Sequence, residues 1–205
     1  MPIVTIALIA ITCVVSWMAF DKRLLADRLV LWPPALERRH EYWRLVSYGF
    51  VHADIGHLAF NMITLFFFGG LIEMKMQQVT GSFLTYPLFY LVALAVSILP
   101  SYLKNQKNPN YLSLGASGAV SAVLFAFILL KPWNLILVMF IPAPAILYAV
   151  FYVGYSIWMD KKGGDNVNHS AHLAGAAFGV MFMLFMEPQV LNTFLEELMH
   201  PRFGR

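Results

Sequence analysis

From Pro2 to Phe20 the chain carries no charged side chain, and a backbone stretch of that length, if placed in hydrocarbon, can satisfy its own N–H and C=O groups only as a helix. Charge-free or charge-poor windows of about 17 to 25 residues, the length that crosses a hydrocarbon layer of roughly 30 Å, recur near 3–20, 55–76, 82–103, 115–130, 143–159 and 168–186. The pattern predicts an all-α polytopic membrane protein, a bundle of six transmembrane helices forming a single domain over 1–205. Composition agrees, since 60% hydrophobic residues, 12% charged residues and a mean hydropathy of +0.67 lie outside the soluble globular average. The first window lacks a basic leader and an Ala-x-Ala type cleavage site, so it reads as a retained helix. A single cysteine, Cys13, allows neither a disulfide framework nor a thiolate metal cluster. The net charge of +3 comes from Lys and Arg scattered over the connections, which argues against a nucleic-acid partner.

Two connections are unusual. Residues 21–50 mix charges with Leu24, Leu25, Leu29, Leu31, Trp32, Tyr42 and Trp43, the composition of a loop partly embedded at headgroup level. Pro142 and Pro144 should break the long apolar interval after Lys131, leaving 133–141 as an interfacial or irregular lead-in and starting the fifth helix near Pro144. The tail 187–205 holds Val190, Leu191, Phe194 and Leu198 at helical spacing with Glu196 and Glu197 opposite, an amphipathic surface helix.

With six spans, the second, fourth and sixth helices begin on one membrane face. That parity brings His52, His57 and Asn61, then Ser117, then His169 and His172, to the same side of the bilayer. Polar side chains within membrane helices are rare and usually functional. Gly115, Gly118 and Ala122 strip bulk from the start of the fourth helix, while Gly175 and Gly179 share the face of His172, so the two helices can approach closely. Such an approach would put His172 within hydrogen-bond reach of Ser117, as a general base for a hydroxyl nucleophile. His57 and Asn61, four residues apart on one helix face, can both donate to an oxyanion, joined by the Ser117 amide at a helix N-terminus. Taken singly, each has a plainer reading: Ser117 as a small packing residue, His172 as a core hydrogen-bonding group, Asn61 as interhelical glue.

The set resembles the rhomboid family of intramembrane serine proteases. The matching pattern runs Trp43-Arg44, His52, His57-x-x-x-Asn61, Gly69-x-x-x-Glu73, Gly115-Ala116-Ser117-Gly118 and Ala171-His172-x-x-Gly175-x-x-x-Gly179, covering 43–180. The resemblance implies a six-helix rhomboid-like bundle that cleaves peptide bonds in or near transmembrane segments of membrane-protein substrates. Ser117 would be the nucleophile and His172 its base, with His57, Asn61 and the Ser117 amide as the oxyanion hole. It further implies that His52 supports the site and that Arg44 and Glu73 brace the first loop against the second helix. No cofactor and no metal are expected. Some family members carry an aromatic residue one turn after the serine, stacked on the histidine; this chain has Ser121 there, so the resemblance supplies no residue to hold the His172 ring. The family's site opens to the non-cytoplasmic side, here of a bacterial inner membrane, although Lys22, Arg23, Arg28, Arg38, Arg39 and Arg44 on that side run against positive-inside counting. The alternatives are a catalytically silent relative that binds transmembrane clients, and a metal transporter using His52, His57, His169 and His172.

Overall fold

Apolar runs fold as helices with their backbone groups bonded internally, and the computed structural model of the chain, which describes residues 2–138 and 141–201, is mostly helical. The helices are α1 (Ile3–Asp21), α2 (Arg23–Leu29), α3 (Pro33–Arg39), α4 (Arg44–Ser47), α5 (Ile55–Thr80), α6 (Thr85–Asn105), α7 (Ser117–Leu130), α8 (Ala145–Lys162), α9 (His169–Met186) and α10 (Val190–Met199). A 3-10 turn, Tyr48–Phe50, precedes α5.

Helix ends follow local chemistry. α5 outlasts the expected 55–76 because its polar last turn continues until Gly81, at φ 68, closes it with an N–H to the Gln77 carbonyl. α6 begins at Thr85, not 82, where the Ser82 hydroxyl accepts from the Leu84 amide. α7 starts at Ser117, not 115, because Gly115 sits at φ 110, outside the helical region. α8 runs to Lys162 and ends at Gly163, φ 64. α9 starts after Asn168, whose side chain accepts from the Ala171 amide.

The expected irregular lead-in at 133–141 instead contributes to a small antiparallel strand pair, an addition to an otherwise helical fold. β1 (Leu135–Val138) pairs with β2 (Ile141–Pro144), Leu135 opposite Pro144 and Val138 opposite Ile141. Pro142 and Pro144 lack the N–H that a central strand needs, and a two-stranded ribbon leaves them an unpaired edge. Residues 139 and 140 of that lead-in, Met1 of the single-domain expectation, and 202–205 of the tail lie outside the described residues.

Four helices, α1, α5, α6 and α9, are each long and apolar enough to cross a membrane. Of the two other expected crossings, α7 is apolar but has 14 residues, about 21 Å of rise. α8 ends on Asp160, Lys161 and Lys162. α7 is the central element: every residue from Gly118 to Leu129 is buried, packed among α5, α6 and α9, with α8 and α10 adding lesser contacts.

Side-chain contacts fix the relative directions. Thr5 meets Glu73 at one end of α1 and Ser16 meets His52 at the other, so α1 and α5 are antiparallel. Phe89 stacks on Phe178 while Ser101 bonds Asn168, so α6 is antiparallel to α9. Tyr152 faces His172 and Asp160 bonds Ser170, making α8 antiparallel to α9 as well. Gly118 and Ala122 of α7 meet Gly175 and Gly179 of α9 in the same order, and Gly115 just before α7 meets His57 in the first turn of α5, so α5, α7 and α9 start at one common end. α1 shows how a membrane-type helix distributes polarity: Thr5, Thr12 and Ser16 lie on its buried face with Leu8 and Ala19, while Ile3, Ile6, Ile11, Val14 and Trp17 face outward.

The expected brace between Arg44 and Glu73 does not form. Glu73 accepts from the amides of Val4 (3.0 Å) and Thr5 (2.8 Å) and from the Thr5 hydroxyl (2.7 Å), binding the first turn of α1. A carboxylate is favoured there because the first N–H groups of a helix have no intrahelical acceptor and carry the positive end of its dipole. Glu73 is accordingly buried, 7% exposed. Arg44 sits in the connection between α1 and α5, donating to Glu41 (2.6 Å) and to the carbonyls of Asp27 (2.8 Å) and Val30 (2.7 Å).

Candidate active site

The common end of α5, α7 and α9 holds the polar cluster. α7 and α9 run parallel and in step: Gly175 lies against the carbonyl of Gly118, and Gly179 against that of Ala122. A Cβ at either glycine would overlap those carbonyls, so only glycine permits this approach. One turn nearer the helix starts, the spacing leaves Ser117 Oγ 2.7 Å from His172 Nε2, both residues half-buried. A hydroxyl donating to an imidazole nitrogen at that distance can lose its proton to it during attack on a carbonyl.

The start of α9 is fixed from several sides. Asn168 Oδ1 accepts from the Ala171 amide (3.0 Å) and the Ser101 hydroxyl (2.7 Å), while its Nδ2 donates to Tyr111 (3.0 Å) and Ser113 (3.2 Å). His172 therefore inherits its position from α6 and from the segment preceding α7. Gly118 is pressed against Ser97 of α6, where a side chain would not fit.

Asp54 caps α5, accepting from the His57 amide at 2.7 Å. The His57 ring then lies over Gly115, in space that a Cβ at position 115 would fill, and the φ of 110 there also favours glycine. Asn61, 1% exposed, donates from Nδ2 to the His57 carbonyl at 2.9 Å. Its second amide N–H is a further donor on the same helix face.

His52 joins three segments. Its Nε2 faces the Ala116 amide at 3.3 Å, and an amide can only donate, so Nε2 is the acceptor. Nδ1 then carries the proton and donates to Ser16 Oγ at 2.9 Å, whose own proton goes to the Phe50 carbonyl at 2.9 Å. This arrangement needs a neutral ring. Burial, with the adjacent His57 adding to it and Asp54 opposing, pulls the His52 imidazole down to about 3. His52 packs edge-on against His57, ring centroids 5.0 Å apart.

Four contributors were not singled out in the sequence. Tyr152 of α8 stacks on His172, Ser16 holds His52, and Asp54 and Asn168 cap α5 and α9. The caps had a readable signal, Asp or Asn directly before an apolar run. Ser16 could have been found from the buried-face spacing of Thr5, Thr12 and Ser16. Tyr152 had none, because its partner is set by how α8 docks. The histidines of the metal alternative are engaged as described, His169 with Asp165 at 3.1 Å, and among the described residues no three His, Cys, Asp or Glu side chains converge to hold a metal ion.

Residues 39–189 match the family model described as the Rhomboid domain. The chain is 34% identical over 177 residues to "RHOMBOID-like protein 12, mitochondrial" of Arabidopsis thaliana, an alignment covering 80% of this chain and 52% of that protein. It is 32% identical over 158 residues to "Rhomboid-like protein 11, chloroplastic" of the same plant, covering 69% of this chain and 51% of the relative. Against "Rhomboid protease GlpG" of Haemophilus influenzae it is 28% identical over 197 residues, covering 94% and 95%. The chain thus spans about half the length of the plant relatives.

Proposed function

Because the chain belongs to the rhomboid family, we propose that it is an intramembrane serine endopeptidase acting through a Ser117–His172 dyad. The observation that carries this reading is the 2.7 Å bond from Ser117 Oγ to His172 Nε2 across a glycine-lined helix contact. Ser117 Oγ attacks the scissile carbonyl and His172 Nε2 takes its proton. The oxyanion is received by the Ser117 amide, His57 and Asn61, and the negative charge is favoured by the N-terminus of α7. His172 then gives its proton to the leaving amine, and a water deprotonated by the same nitrogen hydrolyses the acyl-enzyme. His52, Gly115, Gly118, Gly175 and Gly179 set the backbone positions that make these distances possible.

On this reading the chain is one membrane domain of six crossings: α1, α5, α6, α7, α8 and α9. α7 is short enough that its N-terminus, and Ser117 with it, lies below the membrane surface. Substrates are transmembrane proteins, cut where Gly, Pro or Ala lets a helix release the scissile carbonyl from its own hydrogen bond. On this reading the site opens to the non-cytoplasmic side of a bacterial inner membrane.

The test is reconstitution in liposomes with a single-span substrate, comparing wild type with Ser117→Ala and His172→Ala by gel. Cleavage by wild type and loss in both variants is the expected result. Cleavage that survives in Ser117→Ala removes the dyad, and intact substrate with folded wild type removes the protease reading.

A further inference from the structure

The His172 ring has a partner that comes from another helix. Tyr152 of α8 lies nearly parallel to it, ring centroids 6.0 Å apart and planes 20° from one another, within the range of offset aromatic stacking. The tyrosine hydroxyl is bonded to Ser121 Oγ at 2.6 Å. Ser121 is four residues after Ser117 and so on the same face of α7, and it is buried. Each hydroxyl is the other's means of avoiding an unpaired polar group in an apolar interior. Two independent contacts thus seat one ring: a stack on the candidate base and a hydrogen bond one helical turn from the candidate nucleophile.

We propose that Tyr152 is the positioning residue for His172, seated by the Ser121–Tyr152 hydrogen bond, so that the dyad is aligned only when α8 is docked against α7 and α9. This rests on the protease reading above. The ring limits rotation of the imidazole about its own axis, which keeps Nε2 pointed at Ser117. Phe125 and Tyr148 flank Tyr152, with centroids 5.4 Å and 5.5 Å away, and confine it in turn. α8 contributes none of the residues assigned to the chemistry, yet separating it from α7 would remove the ring from His172. A substrate that displaces α8 on entry must therefore let it reseat before the bond is cut.

The experiment compares wild type with Tyr152→Phe, Tyr152→Leu and the double variant Tyr152→Leu/Ser121→Tyr. Cleavage kinetics are measured in liposomes, and the His172 ring resonances are recorded without substrate in detergent, assigned with His172→Ala. Tyr152→Leu should lower kcat about tenfold, the scale of one aromatic pair, with KM unchanged, and should shift the His172 ring signals by loss of the stacked ring. Tyr152→Phe keeps the ring and should retain most of both. The double variant returns an aromatic ring from α7 and should recover part of kcat. His172 signals that are the same in wild type and Tyr152→Leu overturn the stack whether or not the protein is active. A normal kcat, or a raised KM with kcat unchanged, overturns the positioning role in an active enzyme. Wild type that cuts nothing, while Tyr152→Leu still shifts the His172 ring signals, overturns the protease reading instead and leaves the stack standing.

Discussion

His52 shows how one side chain can couple backbone placement to pH. It bridges the Ser16 hydroxyl of α1 and the amide of Ala116, the residue before Ser117. The unfolded ring takes a proton near its ordinary 6.5, while the folded one resists protonation down to about 3. The unfolded state therefore binds more protons in between, so the stability this residue contributes is complete above about 6.5 and is lost as the pH falls toward about 3. We expect the thermal midpoint of the wild type in detergent to fall across that window. His52→Asn, which keeps a donor and an acceptor but cannot titrate, should show a shallower fall; equal slopes would remove His52 as the source. At this scale the residues whose chemistry is intrinsic were legible from the sequence: Ser117, His172, His57 and Asn61 stand out as polar groups in apolar helices, and the structure brings the first two into contact. Partner choice was not legible. A carboxylate at position 73 seeks any unsatisfied donor, and the arriving α1 N-terminus supplied two amides and a hydroxyl, whereas Arg44 found carbonyls and Glu41 nearer at hand.

The contact of α7 with α9 is set by two glycines in step, a role that Gly154 of α8 does not share. A Cβ at Gly175 would overlap the Gly118 carbonyl, whereas one at Gly154 in α8 meets nothing within 4 Å. Gly175→Ala should force α9 away from α7, at a cost of about 1 to 3 kcal/mol for overpacking, and should lower cleavage more than tenfold as Ser117 and His172 separate. Gly154→Ala replaces glycine in a helix interior, which favours the helix by about 0.5 to 1 kcal/mol. Its thermal midpoint should stay level or rise, with cleavage retained. Thermal melts and cleavage assays on the two variants check both statements, and a Gly175→Ala protein as active as wild type would separate helix approach from function. The helices themselves were legible because apolar length is decided locally. Their ends shifted by a few residues where a turn glycine, a cap or a proline intervened, as at Gly81 and Asn168. The hairpin was missed because Leu135–Val138 is apolar without a distinct period, and its pairing with Ile141–Pro144 becomes apparent only once the chain has turned back on itself.

Across the whole molecule, the parallel start of α5, α7 and α9 puts the candidate site and the connection 21–50 at the same end. The cations Lys22, Arg23, Arg28, Arg38, Arg39 and Arg44 lie there, which by positive-inside counting alone would make that end cytoplasmic. The structure weakens the count only at Arg44. Arg44 is buried among carbonyls and Glu41, and Arg39 lies 5.7 Å from the Trp32 ring centre and 4.0 Å from Glu41. Lys22, Arg23, Arg28, Arg38 and Arg39 are exposed, so Arg44 alone drops out of the count and the proposed outward-facing site runs against the remaining five. The orientation can be read directly because Cys13 is the single cysteine of the chain. In a Cys13→Ser background, Asn166→Cys lies in the exposed connection between α8 and α9 at the site end, and Gln78→Cys in the exposed last turn of α5 at the other. A membrane-impermeant maleimide added to intact cells should label position 166 and spare 78 until the membrane is opened. The reverse pattern would invert the protein and turn the site to the cytoplasm while leaving the helix directions intact. Labelling of both positions from outside would mean that the segment between them crosses an even number of times, against the three crossings of α6, α7 and α8 that the six-helix arrangement requires, and α7 or α8 would then have to lie within one leaflet.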